Sequence, residues 1–150
     1  MADPKSEDLV PHQSTRISRA AVSAGQSSYD PRVIMKMFET TETHPALLKL
    51  FGMKSWKDVD NPKFHPLFED ASPITHATSD DVPVMLHYSQ ANEKLPPGSN
   101  GGKHIHHPKF GFMLKEKLDP LGVECNLVLR EDKTRPDFAD FFIRKLKPPE

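Results

Sequence analysis

Proline sets the grain of this chain. Fifteen of its 150 residues are proline, about twice the usual share. A proline inside a helix removes a hydrogen bond and collides with the preceding turn, so every helix must fit between two such cuts. Residues 1–15 are polar and read as a loop. Residues 16–24 are small and apolar enough for a short buried strand ending at Gly25. Asp30-Pro31 opens a helical turn, because proline suits a first helical position, with Val33, Ile34, Met37 and Phe38 as its apolar face. His44-Pro45 opens another, with Ala46, Leu47, Leu50 and Phe51 as its stripe and Gly52 as its stop. Residues 53–81 form a proline-punctuated connection. An unanchored loop of that length is implausible in a compact domain, so short helical turns pinned by Trp56, Phe64, Leu67 and Phe68 are expected there.

The second half is more regular. PVMLHYS (83–89) is a short apolar run of the kind that forms a parallel strand buried on both faces. Residues 90–103, with Pro96-Pro97, Gly98, Gly101 and Gly102, read as an exposed loop. KFGFMLKEKLDPLG (109–122) is helical, with Phe110, Met113, Leu114 and Leu118 on one face and Lys115, Glu116 and Lys117 solvated on the other. VECNLVLR (123–130) alternates, so Val123, Cys125, Leu127 and Leu129 point one way. Pro136 and Asp137 start a last helix with Phe138, Phe141, Phe142 and Leu146 inward. Arg144, Lys145 and Lys147 lie at its negative end before Pro148-Pro149. The order is strand, helical insert, strand, helix, strand, helix, and the crossover lengths between 83 and 130 call for parallel strands. The fold class is therefore α/β: about three mostly parallel strands, flanking helices, a helical insertion over 30–81 and a strand-helix-strand-helix core over 82–147.

Composition closes off several classes of function. Lys plus Arg total 20 and Asp plus Glu 21, a net charge of −1, which gives no general pull toward nucleic acid or an anionic membrane. No window approaches 18 uninterrupted apolar residues, so no transmembrane helix is expected. The polar, acidic start MADPKSEDLVPHQST does not read as a secretory signal, and no compartment is assigned. The single cysteine, Cys125, excludes an internal disulfide and a Cys-rich zinc site.

Several segments resemble the carboxyl half of α/β-hydrolase-fold esterases and lipases, in the branch allied to acetyl-xylan and feruloyl esterases. ASPITHATSDDVPVML (71–86) is similar to the segment that leads into the strand delivering the catalytic acid. KFGFMLKEKLDPLGVECNLVLRED (109–132) looks like the next helix and the last strand, and DFADFFIRKLK (137–147) like the closing helix. QSSYDPR (26–32) resembles the entry to the lid-like insertion. The resemblance implies a partial α/β-hydrolase domain in which residues 30–70 shape an acyl or alcohol pocket for a small-molecule ester, with no cofactor. It also exposes what is missing. The family orders its triad as Ser, acid, His, with the serine in a G-x-S-x-G elbow, and this chain has no such motif. Where the acid is expected stands Asn92, whose amide cannot supply the anion that stabilises an imidazolium. Arg130-Glu131-Asp132-Lys133-Thr134 carries no histidine. The chain is thus expected to be inactive alone.

Three candidates remain for chemistry. Ser23 sits in AVSAG (21–25), a variant of the elbow, yet Gln26-Ser27-Ser28-Tyr29-Asp30-Pro31 offers no immediate helix to aim it. KHIHHP (103–108) is the densest cluster. In an extended loop His104 and His106 would face the same side, as two metal ligands do, and Asp80, Asp81, His87 or Glu93 would have to complete the set. One of these histidines, His106 foremost, is alternatively a substitute general base, while the plainer reading is a hydrogen-bonded loop. Asp80-Asp81 reads as a turn and Cys125 as a buried small hydrophobe. The alternative to an esterase half is accordingly a non-catalytic binding module whose His104–His107 loop takes a metal or a partner. In either case a half-sheet leaves an unpaired edge, which favours self-association.

Overall fold

The computed structural model describes residues 5, 16–133 and 137–144. The loop expected over 1–15 lies, residue 5 apart, outside the described residues, as do Thr134, Pro136, Lys145, Leu146, Lys147 and Pro148-Pro149. Three strands, β1 (Ala20–Ser23), β2 (Val84–His87) and β3 (Cys125–Val128), form one sheet in the order β1-β2-β3, parallel throughout. Ala20 pairs with Val84 and Ser23 with His87, while Val84 pairs with Cys125 and His87 with Val128. Side chains alternate across a strand, so β2 divides its residues between two layers. Leu86 and Tyr88 pack with Leu118, Val123 and Cys125 on one face. Met85 packs with Val128 and Phe141 on the other.

Between β1 and β2 runs the helical insertion: α1 (Pro31–Phe38), α2 (Ala46–Phe51), 3₁₀ turns at Trp56–Asp60 and Pro62–Phe64, α3 (His65–Ala71) and a 3₁₀ turn at Pro73–His76. The Asp30 carboxylate caps α1 by accepting from the Arg32 N–H, and Pro31 takes the first helical position. Asp30 also pairs with the Arg32 guanidinium at 2.6 Å, and that guanidinium lies over the Phe68 ring. Short helices gain their stability from packing rather than propensity. Here Ile34, Leu47, Phe51, Val59, Phe64 and Phe68 share one core with Phe110. The chain leaving β1 is stitched to this insertion by buried hydroxyls. Ser72 Oγ accepts from the Tyr29 N–H and donates to the Phe68 carbonyl, and Ser27 Oγ donates to the Phe110 carbonyl.

After β2 come α4 (Gly101–Ile105), α5 (Lys109–Leu118), a 3₁₀ turn at Asp119–Leu121, β3 and α6 (Phe138–Ile143). Several expectations are corrected here. The loop expected over 90–103 ends in a helix: Gly101 starts α4, and the Asn100 side chain caps it by accepting from the Lys103 N–H. Gly101 reflects close packing, because a Cβ there would fall 2.4 Å from His44 Cα. The first strand is shorter than 16–24 and is not buried; Val22 and Ser23 are exposed because β1 is an edge strand. On α2 the buried residues are Leu47 and Phe51, and Leu50 is 58% exposed. Leu67 is exposed on α3. Val128, not only the alternating set from Val123, is buried, because β3 carries layers on both faces. On α6 only Phe141 is buried, leaving Phe138 and Phe142 exposed at 36% and 39%. Lys115 is not merely solvated: its ammonium donates to Asp119 Oδ1 at 2.8 Å and to the Cys125 carbonyl at 3.1 Å.

The sheet and α5 meet at Gly111, where an added Cβ would lie 2.4 Å from Tyr88 Cε2 and 2.7 Å from Leu127 Cδ1. Gly111→Ala is expected to destabilise the fold by about 1–3 kcal/mol through overpacking, despite alanine's better helix propensity. A lower urea midpoint checks this, with Gly102→Ala, whose Cβ meets nothing closer than 3.3 Å, as the control that shows little loss.

Candidate functional site

β1 delivers the chain to the carboxyl edge of the sheet, the side on which open parallel α/β sheets bind ligands. Immediately after Ser23, Ala24 adopts φ 49°, a left-handed conformation that costs a residue with a Cβ. The turn is held in place from β2. The Ala24 N–H donates to the His87 carbonyl at 2.7 Å, and the Tyr88 hydroxyl donates to the Gly25 carbonyl at 2.6 Å. Burial pushes the Tyr88 phenol above its ordinary range, so it stays protonated as that donor. Above this turn opens a cavity of about 680 Å³. Its floor is Ala24, Gly25 and Gln26. The insertion supplies Tyr29, His44, Ala46, Leu47, Lys49 and Leu50, and Ile105 and His106 close it from α4 and its end.

The structure separates the histidines that the sequence groups together. His104 lies within α4, buried, its ring stacked on Phe38 at 4.8 Å and 10°. His106 follows the helix, exposed, with Nδ1 3.4 Å from the Ala24 carbonyl. Residues two apart on a helical turn do not share a face, so the paired arrangement expected of an extended loop is not formed. His107 is buried, accepts from the Lys109 N–H through Nδ1 and donates from Nε2 to the Glu93 carbonyl at 2.9 Å. Among the described residues no three His, Cys, Asp or Glu side chains come together as a metal-binding group.

The remaining candidates are also placed. Ser23 is exposed beside His87 in the β1–β2 register, and the next helix begins only at Pro31. His106 approaches the residue next to Ser23, but no hydrogen bond joins the two side chains among the described residues. Asn92 is exposed, away from the cavity, and its N–H donates to Glu131 Oε1 at 3.3 Å. Thus Ser23, Asn92 and His106 do not converge into one site. Asp80 and Asp81 hold a turn, accepting from the Thr78 hydroxyl and N–H respectively. Cys125 is buried and its thiol is pushed up by that burial, away from the reactive thiolate. Sequence reasoning passed over Gln26, Tyr29, His44, Lys49 and Ile105. Their only signal was position, just past a strand's carboxyl end or at the edges of proline- and glycine-bounded helices.

Comparison with protein-family models, curated proteins and solved structures finds no match to this chain. Among the described residues no helix is long and apolar enough to cross a membrane.

Burial holds both His104 and His107 below the ordinary imidazole value, with their mutual proximity and Lys109 adding repulsion against a second charge. The unfolded chain therefore takes up protons below about pH 6.5 that the folded chain resists. Their contribution is complete above that pH and is lost as the pH falls. The thermal midpoint is expected to drop between pH 7 and 5.5. His104→Phe keeps the stack on Phe38 and removes Nδ1, a buried atom with no hydrogen-bond partner. It should raise stability at pH 7 by about 1 kcal/mol and flatten that pH slope in thermal melts.

Proposed function

We propose that this chain is the carboxyl-terminal, substrate-pocket half of an α/β-hydrolase-type carboxylic ester hydrolase, and that it does not hydrolyse esters alone. The observation that carries the reading is the cavity over the carboxyl end of β1, walled by the insertion that lies between two parallel strands. That is where an acyl or alcohol group would sit, and Leu47, Leu50, Tyr29 and Ile105 give it an apolar lining. In the lid-like role the insertion carries the pocket, while β2 and the loop after it stand where the family carries its acid. Asn92 occupies that loop and supplies no carboxylate. Acyl transfer to water through an acyl-enzyme needs a serine activated by a base. Ser23 has neither a hydrogen-bonded imidazole nor a helix directly behind it, so the nucleophile must come from outside these residues.

The reading makes two measurable statements. A fluorophosphonate is expected to leave the folded chain unlabelled, with no turnover of 4-nitrophenyl butyrate above buffer. Ethyl hexanoate is expected to show saturation transfer from the protein by NMR, and Leu50→Trp, which fills the cavity from an exposed position, is expected to abolish it. An adduct on Ser23 or measurable turnover would show a complete catalyst, and a folded chain that binds no ester would remove the pocket from the argument.

A further inference from the structure

The basic groups around the cavity meet no acidic side chain in its lining among the described residues. Lys49, His44 and His106 all stand on that lining. The Lys49 ammonium makes no ion pair among the described residues, where the salt bridges formed belong to Arg16, Arg32, Lys94 and Lys115. His44 accepts from the Ala46 N–H through Nδ1, so its neutral ring carries the proton on Nε2 and has a donor to offer. His106 is turned by its contact with the Ala24 carbonyl, to which Nδ1 can only donate, and as imidazolium it donates from Nε2 too. A cavity that sets these donors beside an apolar wall suits an acceptor with an apolar body.

We infer that this cavity binds an amphipathic carboxylate: an aliphatic or aromatic acid whose apolar body lies against Tyr29, Leu47 and Leu50 and whose anionic head meets Lys49, His44 and His106. The inference rests on the pocket reading of the preceding subsection and goes further, because a neutral ester needs no cationic rim. A substrate of the proposed hydrolase would then carry a free carboxylate on the portion seated here, or the site would hold the acid product. Charge-assisted hydrogen bonds from lysine and imidazolium are about twice as strong as neutral ones, so the head group, not the chain, sets the preference.

The test compares sodium octanoate with octanamide, which has the same body and no charge, by isothermal titration against the whole chain at pH 6.5. Octanoate is expected to bind at least about tenfold more tightly. The double variant Lys49→Gln/His106→Gln changes exposed side chains and should stay folded by circular dichroism. It is expected to erase the preference by costing octanoate more than octanamide, and Leu50→Trp to block both ligands. Equal affinities, or an octanoate preference that survives the double variant, would overturn the carboxylate assignment while leaving an ester pocket intact. Failure of octanoate, octanamide and ethyl hexanoate alike on a folded chain would overturn both readings together.

Discussion

The structure depends on one helix serving two cores. Phe110, at the start of α5, is fully buried in the core of the insertion with Ile34 and Phe68. Leu118, at the end of α5, is buried in the core of the sheet with Leu86 and Cys125. Neither half of the molecule has long elements. The strands are four residues each and the insertion's helices eight, six and seven, lengths at which isolated helices are marginal in water. The insertion therefore owes its position over the sheet to α5, to the Ser27 hydroxyl that donates to the Phe110 carbonyl, and to Gly111, which lets α5 lie close against Tyr88. Tyr88 in turn holds the turn after β1. The cavity floor is thus fixed by the same contacts that fix the insertion, so geometry at the site and stability of the fold are not separable quantities.

Wherever a proline or glycine ends an element for a local steric reason, the sequence is explicit. Asp30-Pro31, Pro45 and Gly52 bound helices where read, and the apolar run at 83–89 contains the central strand, Val84–His87. What stayed illegible depends on partners far away in the chain. Gly101 and Gly102 read as loop residues because glycine is a poor helix former, but Gly101 is small because the His44 backbone lies against it. No local pattern reports that contact. Leu50 and Phe138 satisfy a helical apolar period yet remain exposed, since a period states which face could be buried and not whether anything lies opposite. The short burial of β1 has the same origin: a strand's apolar content does not say that it will be an edge.

The candidate site was less legible than the fold, and for a related reason. Its sequence signals were clusters of reactive residue types, namely the histidines at 104–107 and the serine at 23. Backbone conformation dispersed them. Once Gly101–Ile105 became helical, His104 turned inward onto Phe38 and His106 outward toward Ala24. The residues that do converge on the cavity come from three separated segments, 24–29, 44–50 and 105–106. Their convergence requires the insertion to fold back over the end of β1, a tertiary fact held by buried serine hydroxyls rather than by a motif.

The histidines also show how environment divides one side-chain type among tasks. His104 and His107 are buried against Phe38 and held neutral, where Lys109 approaches the same ring and donates to the Met37 carbonyl. Charging either imidazole there would set a cation beside a cation in a desolvated cluster, so these two rings act as packing groups with fixed tautomers. His44 and His106 lie on the cavity, each with one ring nitrogen engaged by backbone and the other left available. A backbone partner at Nδ1 orients an imidazole and settles what its Nε2 can do. In His44, acceptance at Nδ1 makes the free edge a donor even in the neutral ring; in His106, donation at Nδ1 makes the free edge a donor only when charged. An acceptor therefore meets a donor at His44 with the ring neutral, and at His106 only with the ring charged. This asymmetry is built into two backbone contacts, 3.2 Å to the Ala46 N–H and 3.4 Å to the Ala24 carbonyl, and it ties what each free ring edge can offer to the backbone geometry of the insertion and of the turn after β1.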